Sequence, residues 1–204
     1  MHPSIDSFIA GFSAVFPAQQ HDLPWEVTQN LKAILEAKIS GLDDSYTITE
    51  GVAVHRSATV ERHVVLKAPV IVSEDCFIGA HAYLRGGVFM GKGTVIGTGC
   101  EVKSSVLLHH SAVAHFNFIG DSLIGSHVNF EAGAIVANHF NERPDKQIQV
   151  MANGVPLQTG TEKFGALVGD RSKIGANAVL SPGTLLAPGT IVGRLELVAQ
   201  GAAQ

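Results

Sequence analysis

An aliphatic residue recurs at every sixth position through much of the chain, and this period restricts the fold more than any other feature. The first run is Ile48, Val54, Val60, Leu66, Val72, Ile78, Leu84, Met90, Ile96, Val102 and Leu108. The second run is Val168, Ile174, Leu180, Leu186, Val192 and Val198. Neither a helix nor a single strand has this period, whereas a triangular prism with one short strand and one corner per hexapeptide does. We therefore expect coils of about 18 residues whose aliphatic side chains point inward and stack.

Composition limits the classes of function. The 204 residues allow one domain, or one domain with an appendage. The net charge of −4 gives no basic field for nucleic acid or anionic lipid, so any phosphate site must be local. Cys76 and Cys100 occupy small inward positions, which predicts buried thiols in a reducing compartment. No apolar run reaches transmembrane length, and residues 1–16 lack a basic, cleavable leader. We expect a soluble, cytoplasmic protein with no nucleic-acid or membrane partner.

Residues 1–45 lack the hexapeptide period and carry apolar residues at helical spacing. The two sets are Ile5, Phe8, Ile9, Phe12 and Val15, then Val27, Leu31, Ile34, Leu35 and Ile39. Asp22 as N-cap and Pro24 in the first turn would begin the second helix. We predict a helical N-terminal cap over 1–45 that covers strand edges and the apolar end of the prism. An arm that binds a partner protein is the alternative.

The β-helix domain is predicted over 46–204, with a loop and hairpin insertion at about 139–166. Within the insertion, an alternating segment at 147–158 surrounds Asn153-Gly154, which is a strong two-residue hairpin turn. Insertions in repeat folds tend to fall on the binding face, so we expect this hairpin to border a site.

The period slips between Leu108 and Ile124, which predicts a corner of unusual length. This stretch carries three of the histidines that could suggest a metal, the set being His109, His110, His115 and His139. No Cys-x2-Cys or His-x3-His pair with a carboxylate accompanies them, so we predict no metal site.

A closer resemblance rests on particular stretches of sequence. They are Leu84-Arg85-Gly-Gly, Glu101-Val-Lys103, Ala114-His115-Phe-Asn-Phe118-Ile-Gly-Asp121, Val128-Asn129-Phe-Glu-Ala132-Gly and Ala137-Asn138. Here the chain resembles the C-terminal acetyltransferase domain of bifunctional N-acetylglucosamine-1-phosphate uridyltransferase/glucosamine-1-phosphate acetyltransferase. The hairpin and the segment 162–170 are similar to sugar-1-phosphate nucleotidylyltransferase-like proteins. The resemblance covers about 50–198 and implies a mainly β fold, a single-stranded left-handed parallel β-helix of hexapeptide repeats. The family's nucleotide-binding loop does not occur in 1–45, so we expect no uridyl transfer from this chain.

The resemblance implies an acyltransferase that uses acetyl-CoA to N-acylate an amino-sugar phosphate or a nucleotide sugar. A base must take the amine proton during attack on the thioester, and a histidine that titrates near neutrality suits that step. The implied catalytic residues are His115 as the base, Glu101 as the carboxylate that orients it and Asn138 near the thioester. The implied substrate-binding residues are Arg85, Lys103, Phe118 and Asn129. The implied cofactor-binding residues are Ala132, Asn138, His139 and Ala176.

Spacing supports part of this assignment, and some positions depart from the family pattern. Arg85 and Lys103 are one coil apart, so the prism should stack them on one face as an anion clamp. The departures are Phe118 and His139 for tyrosines, Glu131 for a glycine and Ala176 for a serine. They favour, as an alternative, a non-catalytic module that binds sugar phosphates or nucleotide sugars. A third interpretation is a structural partner whose N-terminal helices dock another protein. Because sites in this family lie between neighbouring prisms, we expect a homotrimer.

Overall fold

A computed structural model describes residues 3–200, in which short parallel strands wind into a three-sided prism. The strands form one 13-stranded sheet and one seven-stranded sheet, and a separate two-stranded hairpin. Each strand of the prism pairs in parallel with the equivalent strand one coil away, as Thr59–Val60 does with Phe77–Ile78. The predicted fold class, a mainly β parallel helix of hexapeptide repeats, is confirmed.

The prism has three faces, which we number in the order in which the chain meets them. The first face contains Val52–His55, Val70–Val72, the later parts of Tyr83–Met90 and Glu101–Leu107, Leu123–Ile124, Ala166–Val168 and Thr184–Leu186. The second contains Thr59–Val60, Phe77–Ile78, Val95–Ile96, Ala112–Val113, Asn129–Phe130, Lys173–Ile174 and Ile191–Val192. The third contains Val65–Leu66, the earlier parts of Tyr83–Met90 and Glu101–Leu107, Phe118–Gly120, Ile135–Val136, Val179–Leu180 and Leu197–Val198. Each corner takes the number of the face that it follows.

The aliphatic series fills the interior, with two corrections to the predicted set. Ile48 is exposed, because it lies in Tyr46–Thr49, a strand that pairs antiparallel with Val52–His55 at the N-terminal edge. Leu107 and not Leu108 packs in the interior of the prism. The two small inward thiols are buried and free, as predicted, and burial raises the pKa of the Cys76 thiol to about 11.

The register slips lie at the third corner, at Ser104 and at Asp121. Asp121 falls inside the predicted interval between Leu108 and Ile124, whereas Ser104 precedes it. Pairing shifts by one residue after Arg85, because two glycines turn the corner in one coil and Ser104 alone turns it in the next. Ser104 and Asp121 both have positive φ, 47° and 46°, which lets a single residue make the turn. Buried Ser122 then receives support from the coil before, since its backbone N–H donates to Ser105 Oγ at 3.0 Å. The corners that carry the histidines have the ordinary length.

The N-terminal segment is less regular than predicted. Ile5–Ser7 and Pro17–Gln19 are 3-10 turns, Phe12–Val15 (α1) is one α-helical turn, and Pro24–Ile39 (α2) is a full helix. Gly11, at φ 82°, ends the first predicted helix before it can become continuous.

The cap of α2 also differs from the prediction. Leu23 and not Asp22 is the N-cap residue, and Glu26 Oε2 accepts a hydrogen bond from the Leu23 backbone N–H at 2.8 Å. Pro24 occupies the first turn, as expected.

These helices lie along the first face and do not cover the end of the prism. Their apolar side chains share one buried cluster with the outward residues of that face, Ala53, Ile71, Phe89, Val106, Leu123, Leu167 and Leu185. Each outward residue is at most 7% exposed. The expected end cap was thus misplaced, and the apolar side of the helices is already used within the chain, which removes the reason for a partner-binding arm.

The insertion leaves the third corner at 137–165 and contains the predicted hairpin. Gln149–Ala152 pairs antiparallel with Val155–Gln158, and Asn153 and Gly154 turn the chain with positive φ at both positions. Among residues 3–200, none of the helices combines the length and apolar character that crossing a bilayer requires.

Candidate functional site

The two predicted clamp residues stack on the third face. Arg85 and Lys103 are paired across adjacent coils, so their side chains leave the same face one strand apart. Each cation has a carboxylate partner within the chain, Glu101 for Arg85 and Asp121 for Lys103. The four charges therefore sum to zero. An anionic ligand would have to share the two cations with these carboxylates or take the place of the carboxylates.

The pair of Arg85 and Glu101 is half-exposed. Arg85 Nε donates to Glu101 Oε1 at 2.8 Å, and its NH2 atom lies 2.6 Å from the same oxygen. The guanidinium also lies over the Tyr83 ring, 5.8 Å from its centroid. Among the described residues, no hydrogen bond joins Glu101 to the His115 ring. In this geometry Glu101 pairs with Arg85, whereas the resemblance implied that Glu101 orients the ring of His115.

A tighter network surrounds Lys103 at the third corner. Lys103 Nζ lies 2.5 Å from Asp121 Oδ2, and Asn138 Nδ2 donates to the same oxygen. Both Asp121 and Asn138 are 7% exposed, so this ion pair is largely removed from water. Asn138 is thus fixed by Asp121, with its Oδ1 3.3 Å from Nδ1 of exposed His139.

His115 is exposed on the second corner, one coil beyond Glu101. The corner is held from inside by buried Asn117, whose amide donates to the His115 carbonyl at 3.1 Å and accepts from the Ala134 N–H at 2.8 Å. Gly97 is required beneath it, because a Cβ there would lie 1.8 Å from the carbonyl oxygen of Ala114. In the part of the chain that the structure describes, the exposed His115 ring forms no hydrogen bond.

The remaining predicted residues divide between two surfaces. Phe118 lies beside Glu101 on the third face, and Asn129 is exposed on the second face. Ala132 and Ala176 lie on the second corner, in adjacent coils. The predicted substrate-binding residues therefore lie together on the third face, with the exception of Asn129. The predicted cofactor-binding residues lie along the second corner, with the exceptions of Asn138 and His139.

Glu131 changes that corner. Its Oε2 accepts the Ala176 backbone N–H at 2.9 Å, and Arg194 donates to both carboxylate oxygens at 2.8 Å. These hydrogen bonds, first that of Arg194, lower the pKa of Glu131 to about 2. One of the predicted coenzyme positions therefore has its backbone donor occupied by a side chain of the same protein.

A pocket of about 410 Å³ opens at the third corner, next to the Lys103 network. Its walls are α2, the coil edge and the end of the insertion, with Gln29, Lys32, Ser104, Asp121, Glu162 and Lys163 among the lining residues. The insertion borders this pocket. No group of three His, Cys, Asp or Glu side chains suited to a metal ion occurs within residues 3–200.

The sequence indicated no role for Asp121 or for the α2 side of the pocket. For Asp121 the 18-residue interval was no signal, because the one-residue corner at Ser104 shortens the coil and pairs Lys103 with Gly120. For Lys32 there was none, because its position depends on where the helix packs.

The strand pairing and the inward aliphatic core define a β-helix of hexapeptide repeats. A family model described as the GMPPB C-terminal domain matches residues 68–162. The chain is 39% identical over 175 residues to the bifunctional protein GlmU of Methanococcus maripaludis, which is 83% of this chain and 42% of that protein. It is 38% identical over 84 residues to the bifunctional sugar-1-phosphate nucleotidylyltransferase/acetyltransferase of Sulfurisphaera tokodaii, 41% of this chain and 20% of that protein. The predicted resemblance to this group of proteins is confirmed, and the chain spans less than half the length of these relatives.

Among solved structures, this chain is similar to a hexapeptide transferase family protein from Anaplasma phagocytophilum. It is 19% identical, with a TM-score of 0.32, and the match covers 72% of this chain and 74% of that one. Another is PerB from Caulobacter crescentus in complex with CoA and GDP-perosamine, at 16% identity and a TM-score of 0.28, covering 69% and 50%. With TM-scores this low, the fold rests on the strand pairing described above.

Proposed function

We propose that the protein is an acyltransferase that moves an acetyl group from acetyl-CoA to the amine of an amino-sugar phosphate or nucleotide sugar. The observation that carries the proposal is the stacking of Arg85 and Lys103 on the third face, one coil from the exposed His115. The name of a relative supports it, because the Sulfurisphaera protein is called a bifunctional sugar-1-phosphate nucleotidylyltransferase/acetyltransferase.

The proposed chemistry uses few groups of the protein. The neutral amine attacks the thioester carbonyl, a C–N bond forms, the C–S bond breaks, and the proton of the amine passes to His115 and then to the departing thiolate. The backbone N–H of Ala132, which lies on the second corner as His115 does, is the proposed donor to the oxygen that gains negative charge. Arg85 and Lys103 are the proposed ligands of the acceptor's phosphate.

The test is release of the coenzyme thiol from acetyl-CoA over a panel of amino-sugar phosphates and nucleotide sugars. A positioned base contributes about 10²–10⁴-fold in rate, so His115→Ala should lower turnover by that order while sugar-phosphate affinity changes little. His21→Ala is the matched control, because His21 is also exposed but lies before α2, outside the prism. Equal turnover in wild type and His115→Ala would contradict the role of His115.

A binding module without catalysis is the second candidate, and two contacts favour it. Glu101 is held by Arg85, and Glu131 occupies the Ala176 N–H. Ligand binding by the wild type with no acyl transfer to any amine of the panel would establish this alternative in place of the enzyme.

A further inference from the structure

The pocket at the third corner carries an excess of positive charge. Lys32 and Lys163 reach it from different elements, and neither forms an ion pair within residues 3–200. Glu162 is one of the two lining carboxylates, and the charge of the other, Asp121, is already balanced by Lys103. The local sum is therefore one positive charge in a chain whose net charge is −4. Such a pocket attracts a small anion although the whole protein does not.

Two glycines fix Lys32 at this position. Gly86 and Gly87 turn the third corner with φ of 75° and 95°, a conformation that side chains disfavour. A Cβ on Gly87 would lie 3.3 Å from the Lys32 backbone nitrogen, so the absence of a side chain lets α2 pack directly on the corner. Leu31, the preceding residue, is fully buried under the helix. The backbone that carries Lys32 is thus held against the coil.

The pocket also offers hydroxyl and carboxylate groups. Asp121 Oδ2 accepts from Lys103 and Asn138, whereas Oδ1 has no hydrogen-bond partner among the described residues and is open to solvent. Ser104 contributes a hydroxyl that donates to the Gly86 carbonyl at 3.0 Å and can still accept. A volume of about 410 Å³ is within the range of small-molecule pockets.

We propose that this pocket extends the phosphate site of the third face, so that Lys32 of the N-terminal helix and Lys163 of the insertion bind the phosphate of a sugar phosphate together with neighbouring Lys103. Asp121 Oδ1 accepts a sugar hydroxyl. The choice of a sugar phosphate as the ligand rests on the proposed function. The charge and volume of the pocket are observed independently of that proposal and indicate only a small anion. The helix is then a wall of the binding site as well as a cover for the first face.

The experiment is calorimetric titration of the full chain with glucosamine 1-phosphate, without acetyl-CoA. Loss of one charge-assisted hydrogen bond should weaken binding about ten-fold in Lys32→Ala and in Lys163→Ala. Lys92→Ala is the matched control, because this lysine pairs with Glu74 at 2.8 Å on the first corner and should bind as the wild type does. Inorganic phosphate should compete with the sugar phosphate in the wild type and less in the two variants.

Several outcomes would overturn the proposal. Wild-type affinity in both Lys32→Ala and Lys163→Ala, with loss in Arg85→Ala, would place the phosphate on the third face alone. A wild type that binds acetyl-CoA but no glucosamine 1-phosphate would contradict the pocket and leave the transferase proposal standing. Binding that depends on Lys32, in a protein that transfers no acetyl group, would support the pocket and contradict the proposed enzyme.

Discussion

At the scale of single residues, spacing predicted positions better than partners. The 18-residue interval predicted that Arg85 and Lys103 stack, and the strand pairing places them so. It did not predict that Asp121 would be the partner of Lys103, because that contact depends on corners of one residue at Ser104 and Asp121 itself. The length of a corner depends on local hydrogen bonds and φ angles. The positions of the inward aliphatic residues do not predict these.

Glu131 shows the same limit on the second corner. The sequence revealed a carboxylate where the family has a glycine, but not what it would bind. Glu61 occupies the equivalent position in the first coil, and its Oε2 accepts the Ala80 N–H at 2.7 Å. Glu131 repeats this contact with Ala176 and adds Arg194. Both carboxylates therefore satisfy a backbone donor of the following coil, and only Glu131 does so in the proposed coenzyme groove.

We expect Glu131→Ala to strengthen acetyl-CoA binding about two- to ten-fold. The substitution frees the Ala176 N–H for the ligand, and a hydrogen bond of this kind contributes about 0.5–1.5 kcal/mol. Glu61→Ala, which frees the equivalent Ala80 N–H far from the groove, should leave the affinity unchanged. Calorimetry with acetyl-CoA measures both, and weaker binding in Glu131→Ala would mean that the carboxylate assists the ligand.

The charge of Glu131 should not contribute to a pH profile near neutrality. Its pKa is lowered to about 2, so the contact with Arg194 is complete above the ordinary pKa of a glutamate and is lost as the pH falls through about 2. A change of turnover between pH 5 and 9 would therefore report another group.

At the scale of elements, the sequence predicted that the helix α2 exists but not where it lies. A signal for its location was present in pairs of adjacent apolar residues, once per coil, such as Ile71-Val72, Phe89-Met90 and Leu123-Ile124. The second member of each pair fills the prism and the first points outward. An outward apolar residue in successive coils needs a cover, and the N-terminal helices supply it. The six-residue period records only the inward member, so it could not reveal the covered face.

We expect Leu31→Ala to destabilise the protein by about 2–5 kcal/mol, because this fully buried side chain joins α2 to the first face and its loss leaves a cavity. The free energy of unfolding in urea measures the effect. Glu36→Ala is the control on the same helix, since Glu36 is exposed and should change the stability by less than about 0.5 kcal/mol. An unchanged midpoint in Leu31→Ala would contradict the packing of the helix on this face.

At the scale of the whole molecule, the helices leave two flanks of the prism for other copies of the chain. The second and third faces and the corner between them expose apolar side chains, among them Val65, Phe116, Ile191, Leu195 and Leu197. A closed threefold ring requires each prism to contact two neighbours through two different surfaces. One covered face and two available flanks meet that requirement.

We therefore expect a homotrimer with the helices on its outside. Light scattering at micromolar concentration should give three times the mass of 21.4 kDa for the wild type. Ile191→Glu should shift the protein toward the monomer, because Ile191 is 73% exposed in the isolated chain and a carboxylate would be buried without a partner in the interface. Val155→Glu is the control, since Val155 is also exposed, at 57%, but lies on the inserted hairpin, and this variant should stay trimeric. A stable wild-type monomer would contradict the trimer, and the proposed site would then have to be completed within one chain, by the pocket between α2 and the third corner.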